Sequence, residues 1–120
     1  MGNRPFKVGV FVPQFHMPWR ATGPRWADIL ATAQLAEEVG FDSYWLPDHL
    51  LFAFDNVNRQ GAWDVWSLLA GLAAATQRIE LAPLVACTSF RNPALIAKMA
   101  DTIDEISGGR FVLGLGAGWH

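Results

Sequence analysis

Residues 78–120 read RIELAPLVAC, TSFRNP, ALIAKMADTIDEISGG and RFVLGLGAGWH in succession. The punctuation of this stretch decides the fold. Ile79 to Ala86 is apolar apart from Glu80, short for a helix and bounded by turn residues, which predicts a buried strand. Asn92 followed by Pro93 has the form of an N-cap with proline at the first helical position. Leu95, Ile96, Met99, Ile103 and Ile106 then recur at helical spacing, giving one apolar face. Gly108 and Gly109 end the helix, because glycine accepts the left-handed cap conformation. Phe111 to Leu115 is a second buried strand. Strand, helix and strand in this length form a βαβ unit, whose crossover is expected to be right-handed.

Working outward, Lys7 to Val12 reads as a first strand, apolar on both faces as central parallel strands are. Pro13 to Gly23 is a loop carrying His16, Trp19 and Arg20. Pro24 opens a helix with Trp26, Ile29, Leu30, Ala33 and Ala36 inward, closed by Gly40. Asp42 to Leu46 is a strand, followed at once by Pro47, Asp48 and His49. Leu50 to Gly61 is a mixed loop whose L-L-F-A-F run reads as a short helical or lid-like segment. Ala62 to Thr76 is a helix with Val65, Leu68, Leu69 and Leu72 inward.

The resulting order β-α-β-α-β-α-β argues for an α/β fold with a parallel sheet. A doubly wound open sheet and a (β/α)8 TIM barrel both fit. His16, Asp48, His49, Thr88, Ser89 and His120 all fall just after strand ends, which in a barrel is the single face that carries catalysis. That favours the barrel. A complete barrel takes about 250 residues, so four strands and three helices in 120 residues correspond to its N-terminal half. The expectation is therefore the N-terminal part of a longer protein, one domain over residues 1–120. Otherwise the unpaired edges would promote homo-oligomers.

Composition narrows the function. The chain is 52% hydrophobic with a formal net charge of −2, so no basic surface points to nucleic acid. No apolar run approaches the roughly 20 residues of a membrane helix. The opening M-G-N-R-P-F-K has no signal-peptide core, and Phe6 breaks the myristoylation pattern. Cys87, the single cysteine, excludes an intrachain disulfide. These absences lead us to expect a cytoplasmic protein acting on a small molecule, without nucleic-acid or membrane partners.

Several side chains carry possible chemistry. An unperturbed imidazole titrates near pH ~6.5, so His49 is a reasonable proton donor or acceptor. Asp48 could orient it, although an Asp-His pair after a strand also serves as a loop brace. Gly114, Gly116 and Gly118 form G-x-G-x-G at the end of the fourth strand. A dinucleotide fingerprint is G-x-G-x-x-G after the first strand, where this chain has P-Q-F-H, so Rossmann binding is not expected. The glycines suit close packing at a strand end. His16, His49 and His120 could collect a metal, but the first strand lacks a His-x-His, and no metal is expected. Cys87 reads as a small buried residue and Arg91 as a surface charge. Trp26, Trp63 and Trp66 read as packing. Trp19, Phe52 and Trp119 lie in strand-end loops and are substrate-pocket candidates with His16.

The sequence resembles the bacterial-luciferase-like oxidoreductases. The matching pieces are V-G-V-F-V-P-Q, G-F-D-S-Y-W-L-P-D-H-L, W-S-L-L-A-G-L-A-A-A-T-Q-R-I-E-L and the run from Arg91 to His120, in order over almost the whole chain. The resemblance implies a TIM barrel using coenzyme F420 or FMN, with the closing run closer to the F420 branch. It implies an Asp-His pair against the deazaflavin ring, here Asp48 and His49; in one sugar-phosphate dehydrogenase group that His is the proposed acid/base, which makes His49 the expected catalytic residue. It implies a bulge in the third strand, often with a non-prolyl cis peptide, on which the ring stacks. That falls at Leu84–Val85, with Cys87 at the ring edge. Gly116, Ala117 and Gly118 approach the pyrimidine end. Where one sugar-phosphate dehydrogenase group has a Trp beyond the His and a Glu after the glycine run, this chain has Ala53 or a neighbour and Trp119. That argues against a sugar-phosphate substrate. The implied function is hydride transfer between F420 and a small organic substrate, or FMN-dependent monooxygenation. Two rivals stand beside it: an inactive half-barrel assembly module, and a metal-dependent hydrolase barrel.

Overall fold

The computed structural model describes residues 5–17, 22–53 and 59–119. Its first layer is a parallel sheet of β1 (Gly9–Phe11), β2 (Ser43–Leu46) and β5 (Glu80–Pro83), in the order β1-β2-β5. The ladder is continued at its ends by Asp42 N–H to Val8 O at 2.8 Å and Val12 N–H to Trp45 O at 2.9 Å. On one face Tyr44, Leu46 and Leu81 are fully buried, with Val10 and Val12 partly so. Two of the three helices lie over this face. α1 (Trp26–Val39) buries Ile29, Ala33 and Ala36, and α2 (Val65–Ala75) buries Leu68, Leu69 and Leu72. The Trp26 ring is partly exposed and lies over Gly71, where an added Cβ would meet it at 3.0 Å. α3 (Pro93–Ser107) packs on α2 through Ile96 and Ile103. Leu95 and Ile106, expected on its apolar face, are exposed.

The helices end as the sequence predicts. Gly40 and Gly108 adopt positive φ, +97° and +70°, and close α1 and α3. The Asn92 side chain accepts from Ala94 N–H ahead of Pro93. The predicted start of α2 at Ala62 is corrected. Asp64 caps the helix by accepting from Ser67 N–H at 2.8 Å, so it begins at Val65. Ala62 instead pairs with Phe15.

Three further differences concern strands. The Leu50–Gly61 segment is not helical at its start. Leu51–Ala53 is strand β3 and pairs antiparallel with β4 (Arg59–Gly61). Phe52 gains a stacked partner in Phe15, with centroids 4.3 Å apart, which a one-turn helix in isolation could not provide. The predicted third strand is split into β5 and β6 (Ala86–Cys87) around a cis Leu84–Val85 peptide. The fourth strand also narrows, to a bridge at Phe111 and to β7 (Leu115–Gly116), which pairs parallel with β6.

Neighbouring parallel strands therefore follow chain order: first, second, third, fourth. A doubly wound sheet reverses its order at a switch point, and none occurs among the described strands. The architecture is that of part of a TIM barrel, with the β3–β4 hairpin added after the second strand.

The N-terminal ends of the strands are tied by charge. Glu37 accepts from the backbone N–H groups of Gln77, Arg78 and Ile79. The Arg110 guanidinium donates to Ala73, Thr76 and Ile79 carbonyls, covering the C-terminus of α2. The opposite ends of the strands are left to build the site.

Candidate active site

A cleft of about 230 Å³ opens at the C-terminal ends of the second, third and fourth strands. Nine predicted residues line it: Asp48, His49, Leu84, Val85, Cys87, Gly116, Ala117, Gly118 and Trp119. Phe90, which sequence reasoning missed, completes it. The other predictions fall elsewhere. His16 is not among the lining residues and lies against Gly23. Phe52 flanks His49 from outside the cleft. Trp19 and His120 lie outside the described residues.

The floor depends on three alternate glycines. A Cβ at Gly114 would sit 2.5 Å from Pro83 O, one at Gly116 would overlap Val85 Cγ2, and one at Gly118 would sit 2.6 Å from Cys87 Sγ. Gly118 also has φ +85°. The G-x-G-x-G spacing thus lets the fourth strand close on the broken third strand. Thr88 N–H donates to Gly116 O at 2.9 Å, and Ser89 Oγ donates to Ala117 O at 2.9 Å. These bonds pin the 116–118 segment against the end of β6.

Asp48 forms the rear brace. Its side chain is only 2% exposed, and both oxygens take a fork from Arg91, at 2.6 and 3.0 Å. The same carboxylate accepts Cys87 N–H at 3.0 Å. Arg91 also reaches Asp64 at 3.1 Å and lies over the Trp66 ring. The expectation that Arg91 is a surface charge is therefore corrected. Burial alone pushes its pKa down, but hydrogen bonds and charges from Asp48 and Asp64 outweigh that and raise it. Burial likewise pushes Asp64 up, and the Ser67 N–H and hydroxyl with Arg91 bring it below the ordinary value. This pair links the ends of the second and third strands to the cap of α2. Its partners stand far apart in sequence, and a charge just before an N-cap gives no signal that it is buried.

His49 stands at the rim among aromatic edges. Phe52 and Trp119 meet its ring at 5.2 and 5.8 Å, near perpendicular, and Phe15 at 6.5 Å. Gln14, also missed, is buried behind the rim and donates to Pro47 O and to Trp63 O. It fixes the turn from which Asp48 and His49 project. Among the described residues no three His, Cys, Asp or Glu side chains converge as a metal site. No helix among them is long and apolar enough to cross a membrane.

A strand-end cleft on consecutive parallel strands is the active-site position of a TIM-barrel enzyme. The luciferase-like monooxygenase family matches residues 6–120, and the chain belongs to that family. It is 46% identical over 85 residues to 5,10-methylenetetrahydromethanopterin reductase of Archaeoglobus fulgidus, covering 71% of this chain and 23% of that protein. In structure it resembles the coenzyme F420-dependent tetrahydromethanopterin reductase of Methanopyrus kandleri, with TM-score 0.75 and 26% identity. That match covers 93% of this chain and 27% of the other. It also resembles the oxygenating constituent of 3,6-diketocamphane monooxygenase of Pseudomonas putida, in complex with FMN. Here the TM-score is 0.74 and the identity 25%, covering 95% of this chain and 30% of the other. The chain thus spans less than a third of each of these relatives. The Leu84–Val85 cis peptide lies where the family resemblance implied one.

Proposed function

We propose that this chain forms the cofactor-facing wall of an oxidoreductase that transfers hydride between coenzyme F420 and a small organic substrate. The observation that carries the reading is the cleft itself. It brings the apolar side chains of Leu84 and Val85 beside a glycine-lined strand end, with one imidazole at the rim. The lining suits a planar ring: apolar side chains for its face and backbone of residues 116–118 for its polar edge.

When bound, the deazaflavin supplies the hydride acceptor or donor. The chain's own residues do the rest. Leu84 and Val85 would support such a ring through their apolar side chains and exclude water from it. Gly116, Ala117 and Gly118 would offer it their backbone. The Asp48–Arg91 pair keeps Cys87 N–H, and with it the third strand's end, in register with the floor. Asp48 acts on the cofactor through this bracing, with its carboxylate already engaged. His49 donates or accepts the proton that accompanies hydride transfer at the substrate. On this reading the protein works in the cytoplasm, within a complete barrel or a homo-oligomer.

FMN-dependent monooxygenation is the second reading, favoured by the likeness to the FMN-bound monooxygenase. A fluorescence titration of the protein with F420 and with FMN separates the two. Tighter binding of F420 supports hydride transfer, tighter binding of FMN supports the second reading, and no response to either removes both.

A further inference from the structure

A second cavity, of about 320 Å³, lies under the β3–β4 hairpin and shares His49 and Phe90 with the cleft. Leu50, Leu51 and Phe52 make its lining apolar, and Arg59 is the one Lys or Arg among its described lining residues. The contrast with the other cations is informative. Among the described residues, every other Lys and Arg has a carboxylate or carbonyl partner: Lys7 with Glu80, Arg25 with Asp28, Lys98 with Asp101, Arg91 with Asp48. Arg78 and Arg110 donate to backbone carbonyls. Arg59 alone has none of these, although β4 holds it in place through its pairing with Ala53. An exposed cation without a partner among the described residues, beside an apolar cavity that reaches the rim at His49, offers a ligand's anion a place to bind.

We infer that this cavity is a substrate subsite for an amphipathic anion, with its apolar body under the hairpin and a carboxylate or phosphate head on Arg59. The planar guanidinium fork matches either head in bidentate fashion. The arrangement rests on the proposed oxidoreductase reading, because a body held there extends past His49 toward the cleft. The substrate would then react at a carbon remote from its charged end.

The test is calorimetric titration of the protein with decanoate, decyl phosphate and decanol, beside the Arg59→Gln and Arg59→Lys variants. Both anions are expected to bind more tightly than decanol. Arg59→Gln should weaken the anions about five- to tenfold and leave decanol unchanged, while Arg59→Lys keeps most of the affinity. The better anion identifies the head group. Equal binding of decanol, or no effect of Arg59→Gln, overturns the subsite. FMN and F420 titrations of the same samples keep the two ideas apart. Arg59-dependent anion binding without any flavin binding leaves the subsite standing and removes the oxidoreductase reading, and flavin binding without Arg59 dependence does the reverse.

Discussion

At the scale of single residues, the site depends on three glycines that leave room for the third strand and on one buried charge pair. Gly116→Ala places a methyl into Val85, so we expect a loss of about 1–3 kcal/mol in denaturant stability. Gly116→Ala with Val85→Ala should recover much of it, because the second change removes the obstacle. A full loss in the double variant would show that the glycine serves some other purpose. Arg91→Ala leaves the Asp48 carboxylate buried and uncompensated, which costs about 3–5 kcal/mol. Arg91→Met with Asp48→Asn should be milder than Arg91→Ala alone, as read from urea midpoints. His49→Gln should keep cofactor affinity within a few-fold and lower turnover about 100-fold or more, the usual range for a lost proton-transfer group.

The same scale explains what the sequence could and could not disclose. The Asp48–His49 pair follows the second strand and the Gly114–Gly118 run closes the fourth, so alternation of elements alone placed them on one rim. Arg91 gave no such sign. Its partners Asp48 and Asp64 become neighbours only when the second strand, α2 and the third strand are assembled. Gln14 was hidden for the same reason, since its amide serves the carbonyls of Pro47 and Trp63 from a different loop.

At the scale of elements, helices and strand order were legible because caps and apolar periods are local. Asn92-Pro93 and Gly108 marked α3 correctly at both ends. The β3–β4 hairpin was not legible, because Leu-Leu-Phe-Ala-Phe has neither a helical nor an alternating period. What makes it a strand is the stacking of Phe52 on Phe15, a contact between distant segments. Element junctions also carry a pH dependence. The Glu37 carboxyl is pushed up by burial, but the N–H groups of Ile79, Arg78 and Gln77 and the Arg110 charge hold it below its ordinary 4.5. A carboxyl lowered in the folded state stabilises the fold fully above its unfolded pKa. That contribution fades as pH falls through the lowered value. Glu37→Gln should therefore lower the thermal midpoint near neutrality and flatten its decline below pH 4.5. Parallel melting curves of the two proteins would show the lines converging in acid, and parallel lines would contradict the assignment.

At the scale of the whole molecule, apolar surface remains at both flanks of the sheet. Val8 and Phe11 on the β1 side and Leu113 and Leu115 on the β7 side are exposed. Among the described residues β1 and β7 each pair with one strand only. Such edges favour association. The 120-residue chain in isolation is expected to sediment as dimers or larger species, and Leu115→Lys should shift it toward monomer. A monodisperse monomer would mean that these flanks are adequately solvated as they stand.

Parallel strands bring His49, the Leu84–Val85 wall and the Gly116–Gly118 floor to one rim, which we propose as the seat of a flavin-type ring. Amide chemical-shift mapping during titration with F420 or FMN tests it most directly. The largest changes are expected at Val85, Cys87, Gly116, Ala117 and Gly118, with little change at Glu37, Arg78 and Arg110 at the opposite ends of the strands. Saturable binding whose shifts centre on Arg78 and Arg110 would contradict it.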